Sequence, residues 1–84
     1  MESFRSYLYI VGESTHEFRT LIGLLKKYTS NNVEHKQYFG DDLSTYIGII
    51  NNIEDYKIMF DFISLFSGSM RRNNIKYEFI NKMT

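Results

Sequence analysis

The chain has 84 residues, no cysteine, and ten basic residues that balance ten acidic ones. A chain of this length has room for one hydrophobic core, and the lack of cysteine excludes disulfides and thiolate metal sites. A net charge of zero excludes the uniform field of strongly basic nucleic-acid binders. No apolar run approaches the ~20 residues of a membrane span, and no secretion signal is recognisable. We therefore expect residues 1–84 to form a single cytoplasmic domain.

The first third of the chain predicts a strand followed by a helix. Residues 6–11 (SYLYIV) combine aromatic and β-branched side chains and end at Gly12, which is typical of a buried strand. Ser14 and Glu17 have the spacing of a capping box, which predicts that a helix begins there. Apolar residues then recur at the spacing of an amphipathic helix, at Phe18, Leu21, Ile22, Leu25 and Tyr28.

The remaining sequence predicts a hairpin, a second helix and a last strand. The predicted bounds are 33–39 and 44–50 for the hairpin strands, 53–67 for the helix and 75–80 for the last strand. Gly40 marks the hairpin turn. Asn52, or Asn51 with Glu54, provides an N-cap for the helix, and Gly68 is expected to end it.

The predicted strands differ in polarity. Residues 6–11 and 44–50 are apolar on both faces, whereas residues 33–39 and 75–80 carry charges. Central strands are typically apolar throughout, and edge strands are kept polar. With right-handed crossovers, this contrast predicts a ferredoxin-like β-α-β-β-α-β sandwich of class α+β, a four-stranded antiparallel sheet of order 4-1-3-2 with two helices on one face.

Two helices cover one face of such a sheet, so the other face is expected to be open. If Leu8, Ile10, Ile47 and Ile49 point toward the helices, strict alternation points the intervening residues outward. That outward set contains Tyr7, Tyr9, Val11, Tyr46 and Ile50, with Gly48 between them. Such an aromatic face can stack unpaired bases, dock on a protein or a second copy, or be covered in part by loops.

The second helix carries more apolar residues than one packing face requires. Tyr56, Met59, Phe60, Ile63 and Phe66 form its predicted core side. A further stripe of Ile58, Phe62 and Leu65 has the spacing of helix-in-groove recognition. We interpret this stripe either as a partner-binding surface or as a face covered by a loop or the tail.

The sequence offers no motif typical of catalysis, metal binding or a cofactor. His16 and His35 fall on different elements, and Asp41 and Asp42 belong to a turn. We therefore expect a protein that is not an enzyme and has no metal or cofactor. The basic residues Arg71, Arg72 and Lys76 could clamp a phosphate or carboxylate, with a solvated loop as the alternative.

One stretch resembles a known family. Leu8-Tyr9-Ile10-Val11-Gly12 is similar to the first-strand signature of the RNA-recognition motif, and the element order agrees. This resemblance implies that Tyr9 stacks on a base. The family's third-strand signature requires a basic residue, a glycine and alternating aromatics, of which residues 44–49 supply Tyr46. Amino-acid-sensing regulatory domains share the topology and are an alternative.

Together these patterns favour a small binding or regulatory protein that acts on a macromolecule. The chain has no Ala, Pro or Trp and abounds in Ile, Asn and Lys, which indicates an AT-rich bacterium or phage and suggests an accessory or phage-encoded inhibitor. The partner is predicted to be a protein, possible self-association included, or single-stranded RNA, with no membrane. The predicted contact residues are Tyr7, Tyr9, Tyr46, Lys36, Arg71, Arg72 and Lys76. A small-ligand regulatory domain is a further alternative.

Overall fold

A computed structural model describes residues 4–83 of the chain. The elements follow the predicted order of strand, helix, two strands, helix and strand. Their bounds are β1 Phe4–Glu13, α1 His16–Tyr28, β2 Glu34–Phe39, β3 Leu43–Ile50, α2 Ile53–Arg72 and β4 Lys76–Met83. None of the helices in this part of the chain is long and apolar enough to cross a membrane.

The sheet confirms the predicted topology. Its four strands lie in the order β2-β3-β1-β4, and every neighbouring pair is antiparallel. This is the predicted order 4-1-3-2 read from the other edge. The two strands that are apolar on both faces therefore occupy the centre, and the two charged strands form the edges, where charge discourages pairing with another chain.

The core lies between the sheet and the two helices. Alternate residues of β1, such as Leu8 and Ile10, are fully buried against the helices. The helix α1 buries four of its five predicted apolar residues, namely Phe18, Leu21, Ile22 and Leu25, whereas Tyr28 at its end is exposed. Thr15 caps this helix by accepting a hydrogen bond from the Phe18 N–H, because Ser14 instead hydrogen-bonds Ser44 and the carbonyl of Gly40 in the hairpin.

The helix α2 is longer than predicted and is rotated from its predicted phase. Asn52 caps its start as expected, but Gly68 lies inside the helix, which continues to Arg72. Phe62 is 1% exposed and Phe60 is 49% exposed, the reverse of the prediction. The reason is lateral packing: the Phe62 ring lies 5.5 Å from the Tyr28 ring of α1, and the Phe60 ring lies 5.9 Å from Phe79 of β4.

Candidate functional site

The open face of the sheet carries an apolar centre. Tyr7 and Tyr9 project from β1 on the side away from the helices, and both are half-buried. Their rings lie 6.3 Å apart. Half-buried isoleucines of β3 and β4 complete the centre, at Ile47, Ile49 and Ile80. This continuous patch, hereafter the open-face patch, is the apolar surface that the two helices leave uncovered.

Charged residues surround the open-face patch. The basic members are Arg5, Lys36, Lys76 and Lys82, and the acidic members are Glu13, Glu34 and Glu78. Lys36 lies 3.8 Å from Glu34 on the β2 edge. On the β4 edge the Lys82 ammonium lies 5.8 Å from the centre of the Tyr7 ring, within the range of a cation–π contact. The rim thus presents both signs of charge around an apolar middle.

The structure contradicts the predicted outward position of Tyr46. Its side chain is 0% exposed and lies beneath the helices. Gly48 explains this position, because a Cβ there would stand 2.7 Å from the Tyr46 hydroxyl oxygen and 2.9 Å from the Met59 Cε. The missing side chain leaves the space that the tyrosine ring fills. Ile50 is buried with Tyr46, and Ile47 and Ile49 face outward in their place.

Tyr46 belongs to a polar network within the core. Its hydroxyl lies 2.5 Å from His35 Nδ1, and His35 Nε2 lies 3.3 Å from the Thr29 hydroxyl. Burial, with a smaller contribution from Lys26, lowers the pKa of His35, so the ring is held neutral. Burial raises the pKa of Tyr46, so its hydroxyl stays protonated. The Thr29 hydroxyl donates to the Lys26 carbonyl and therefore accepts from His35 Nε2–H, which leaves Nδ1 to accept from the Tyr46 hydroxyl. The network is satisfied internally and points away from the open-face patch.

The predicted basic residues divide between two places. Arg71 and Lys76 line one open cavity of about 460 Å³ where α2 passes into β4, together with Asn74 and Tyr77. Arg72 is exposed in the last turn of α2, outside the set that lines this cavity. All three were predicted to follow the helix or open the last strand, but both arginines lie in the helix, where they complement its dipole.

The predicted stripe on α2 does not form one surface. Phe62 is a core residue, whose ring lies 4.5 Å from that of Phe66. Ile58 is half-buried, and Leu65 is 73% exposed. The stripe is interrupted because α2 packs sideways on α1 as well as down on the sheet. Of its three members, only Leu65 remains as an exposed apolar contact point.

The sequence correctly predicted Tyr7, Tyr9 and Val11 on the open face, but the outward isoleucines and Glu78 were missed. A strand that is apolar on both faces has no alternation from which its phase can be read. A signal for β3 was available in Gly48, since a glycine inside a strand often marks space for a bulky neighbour. Among residues 4–83, no group of three or more His, Asp or Glu side chains is placed to hold a metal ion.

Comparisons with known proteins concern the fold. The chain matches no protein-family model and no curated protein sequence. Among solved structures it is similar to a protein of Thermus thermophilus described as a PII-like signaling protein, with a TM-score of 0.67 and 9% identity over 99% of this chain and 90% of that one. It is also similar to the de novo designed protein Foldit4, with a TM-score of 0.58 and 16% identity over 100% and 97% of the two chains. These likenesses establish the ferredoxin-like fold.

Proposed function

We propose that this chain is a small regulatory binding protein that docks onto a protein surface through the open-face patch. The observation that carries the proposal is the patch itself: two tyrosines and three isoleucines form the centre of a sheet face that no helix within residues 4–83 covers. An apolar centre within a charged rim is the usual anatomy of a protein interface. Tyrosine adds a large contact area with a polar tip.

The rim favours a protein partner over RNA. A phosphate backbone is bound by a concentration of positive charge, but Glu34 and Glu78 stand on the two edges of this face. Tyr46 also cannot serve as a base-stacking residue, because its buried ring offers no face to a base. Tyr7 and Tyr9 remain accessible in part, so single-stranded RNA is an outcome that the test must separate.

A regulatory role is supported by analogy. The Thermus thermophilus protein described as PII-like and signaling has the same fold. The lack of a recognisable catalytic motif in the sequence favours binding over catalysis. The finer expectation, a phage-encoded or accessory inhibitor of a host macromolecule, stays a prediction, as does a small-ligand regulatory domain.

The test is capture of partners by the tagged chain from an extract of its native organism, with and without nuclease. Three baits are compared: the parent, Tyr9→Glu on the open-face patch, and Leu65→Glu as a matched control on the helical side. We expect the parent and Leu65→Glu to retain the same proteins after nuclease treatment, and Tyr9→Glu to lose them, because a carboxylate in the interface would be desolvated without a partner. Circular dichroism checks that all three baits are folded.

Three results would count against the proposal. Equal capture by Tyr9→Glu and the parent would remove the open-face patch from the interaction. Loss of capture with Leu65→Glu alone would move the site to α2. Nuclease-sensitive capture, together with affinity for single-stranded RNA that falls steeply with salt, would establish the RNA alternative.

A further inference from the structure

We infer that the open-face patch binds a second copy of this chain, forming a two-fold dimer whose axis is parallel to the strands. The inference rests on the proposed function, because it uses the same face, and it names a partner for that face. A second copy would then compete with any other protein for the patch.

The cross-strand register sets out the charges of this face in rows. Tyr9 pairs with Ile47 on one side and with Glu78 on the other, and Ile47 pairs with Lys36. These four residues form one row across the open face. The row has a positive charge at its β2 end, two apolar residues in the middle, and a negative charge at its β4 end.

A two-fold dimer contact is self-complementary, so each residue meets the image of another. A two-fold axis parallel to the strands reverses every row from left to right but keeps the order of the rows. Lys36 of one copy then faces Glu78 of the second copy, and the same contact occurs twice. Ile47 faces Tyr9 across the interface, so apolar residues meet apolar residues.

The neighbouring rows agree with this arrangement. In the next row Tyr38 lies at the β2 end and Lys76 at the β4 end, so reversal places an ammonium group against an aromatic ring, an attractive pairing. On the opposite side of the central row, Glu34 faces Ile80 of the second copy. Lys82 lies in the row after that, two residues beyond Ile80 on β4. Lys36, Glu78 and Lys76 of the two edges therefore meet an opposite charge or an aromatic ring, and Glu34 meets an apolar residue.

A two-fold axis across the strands gives a worse match. When this axis crosses the central row, it places β4 on β4 and β2 on β2, so that Glu78 faces Glu78 and Lys36 faces Lys36. Like charges brought together in this way oppose association. The charges of the central row thus favour the axis parallel to the strands, which is compatible with the aligned packing of two sheets.

The size of the face is sufficient for a reversible dimer. Four strands spaced by about 4.8 Å and four rows spaced by about 6.6 Å span roughly 500 Å² on each copy. The total of about 1,000 Å² lies below the standard range for specific interfaces and is typical of a transient association. We therefore expect dimerisation that depends on protein concentration.

Sedimentation equilibrium of the full chain provides the test, with two charge-reversal variants. Lys36→Glu places glutamate against Glu78 twice in its own dimer, and Glu78→Lys places lysine against Lys36 twice. Each variant alone should dimerise about tenfold more weakly than the parent or worse, given two exposed pairs changed from attraction to repulsion. A mixture of the two variants should form a heterodimer more readily than either variant dimerises, because both of its contacts join opposite charges. In one contact Glu78 of the first variant meets Lys36 of the second, as in the parent. In the other contact the two introduced residues meet, a glutamate and a lysine. Lys57→Glu, on the exposed side of α2, is the matched control and should dimerise like the parent.

The outcomes separate this inference from the proposed function. Recovery of association in the mixture supports the inference. If either variant had lost dimerisation because it was misfolded, mixing it with the other variant would not restore association. A parent that stays monomeric up to about 1 mM, or a mixture no stronger than its components, overturns it. In that case loss of partner capture by Tyr9→Glu would still support docking through the open-face patch, whereas unchanged capture would overturn both.

Discussion

At the scale of single residues, the position of Tyr46 depends on the absence of a side chain at Gly48. We expect Gly48→Ala to lower the free energy of unfolding by about 1–3 kcal/mol, the usual cost of overpacking a core. The new methyl group would stand 2.7 Å from the Tyr46 hydroxyl oxygen, which is held by His35 and has little freedom to move. Urea denaturation followed by circular dichroism measures the change.

Gly23 provides the matched control for this substitution. A Cβ at this position has no neighbouring atom within 4 Å, and the residue lies in the interior of α1. Gly23→Ala should therefore raise the free energy of unfolding by about 0.5–1 kcal/mol, because alanine restricts the unfolded chain and favours the helix. A Gly48→Ala variant as stable as the parent would show that Tyr46 is not confined as described.

At the scale of elements, local patterns predicted the presence and order of the strands and helices better than their orientation. The amphipathic spacing of α1 identified Phe18, Leu21, Ile22 and Leu25 as core residues because that helix has one packing face. The helix α2 packs against both α1 and the sheet. Its wide apolar arc did not indicate which side of the helix would be most deeply buried. The same ambiguity affected β3, which is apolar on both faces, and the close approach of Tyr46 to Gly48 determines which face is the inner one.

The orientation of α2 makes a quantitative prediction about Phe62 and Leu65. Phe62→Ala should lower the free energy of unfolding by about 3–5 kcal/mol, because the ring is 1% exposed and its removal leaves a cavity. Leu65→Ala should change it by less than about 0.5 kcal/mol, because this side chain is 73% exposed. Urea titration of both variants under the same conditions is the measurement, with Phe62→Leu as a milder substitute if Phe62→Ala is unfolded. Similar losses at the two positions would contradict the assigned orientation.

At the scale of the whole molecule, the distribution of polarity among the strands was the most informative pattern. Together with right-handed crossovers, the rule that charged strands lie at edges and apolar strands at the centre predicted the sheet order that β2-β3-β1-β4 confirms. The open-face patch could not be predicted in full, because its residues come from β1, β3 and β4. Which of them lie side by side depends on the strand register, which hairpin length and packing determine together. Glu78 is an example: its place opposite Tyr9 depends on the pairing of the first and last strands.

The stability of the whole molecule should also depend on pH through His35. Burial, assisted by Lys26, lowers the pKa of this ring in the folded state below the value of 6.5 expected when the chain is unfolded. The unfolded chain therefore binds a proton more readily, so stability falls as the pH decreases through 6.5 toward the folded-state pKa and is retained above 6.5. We expect the melting temperature to decrease between about pH 7.5 and 5.5, a range above the ordinary titration of carboxyl groups. His35→Gln should reduce this dependence, whereas His16→Gln, on the exposed side of α1, should leave it unchanged. Equal pH dependence of the parent and His35→Gln would show that another group is responsible.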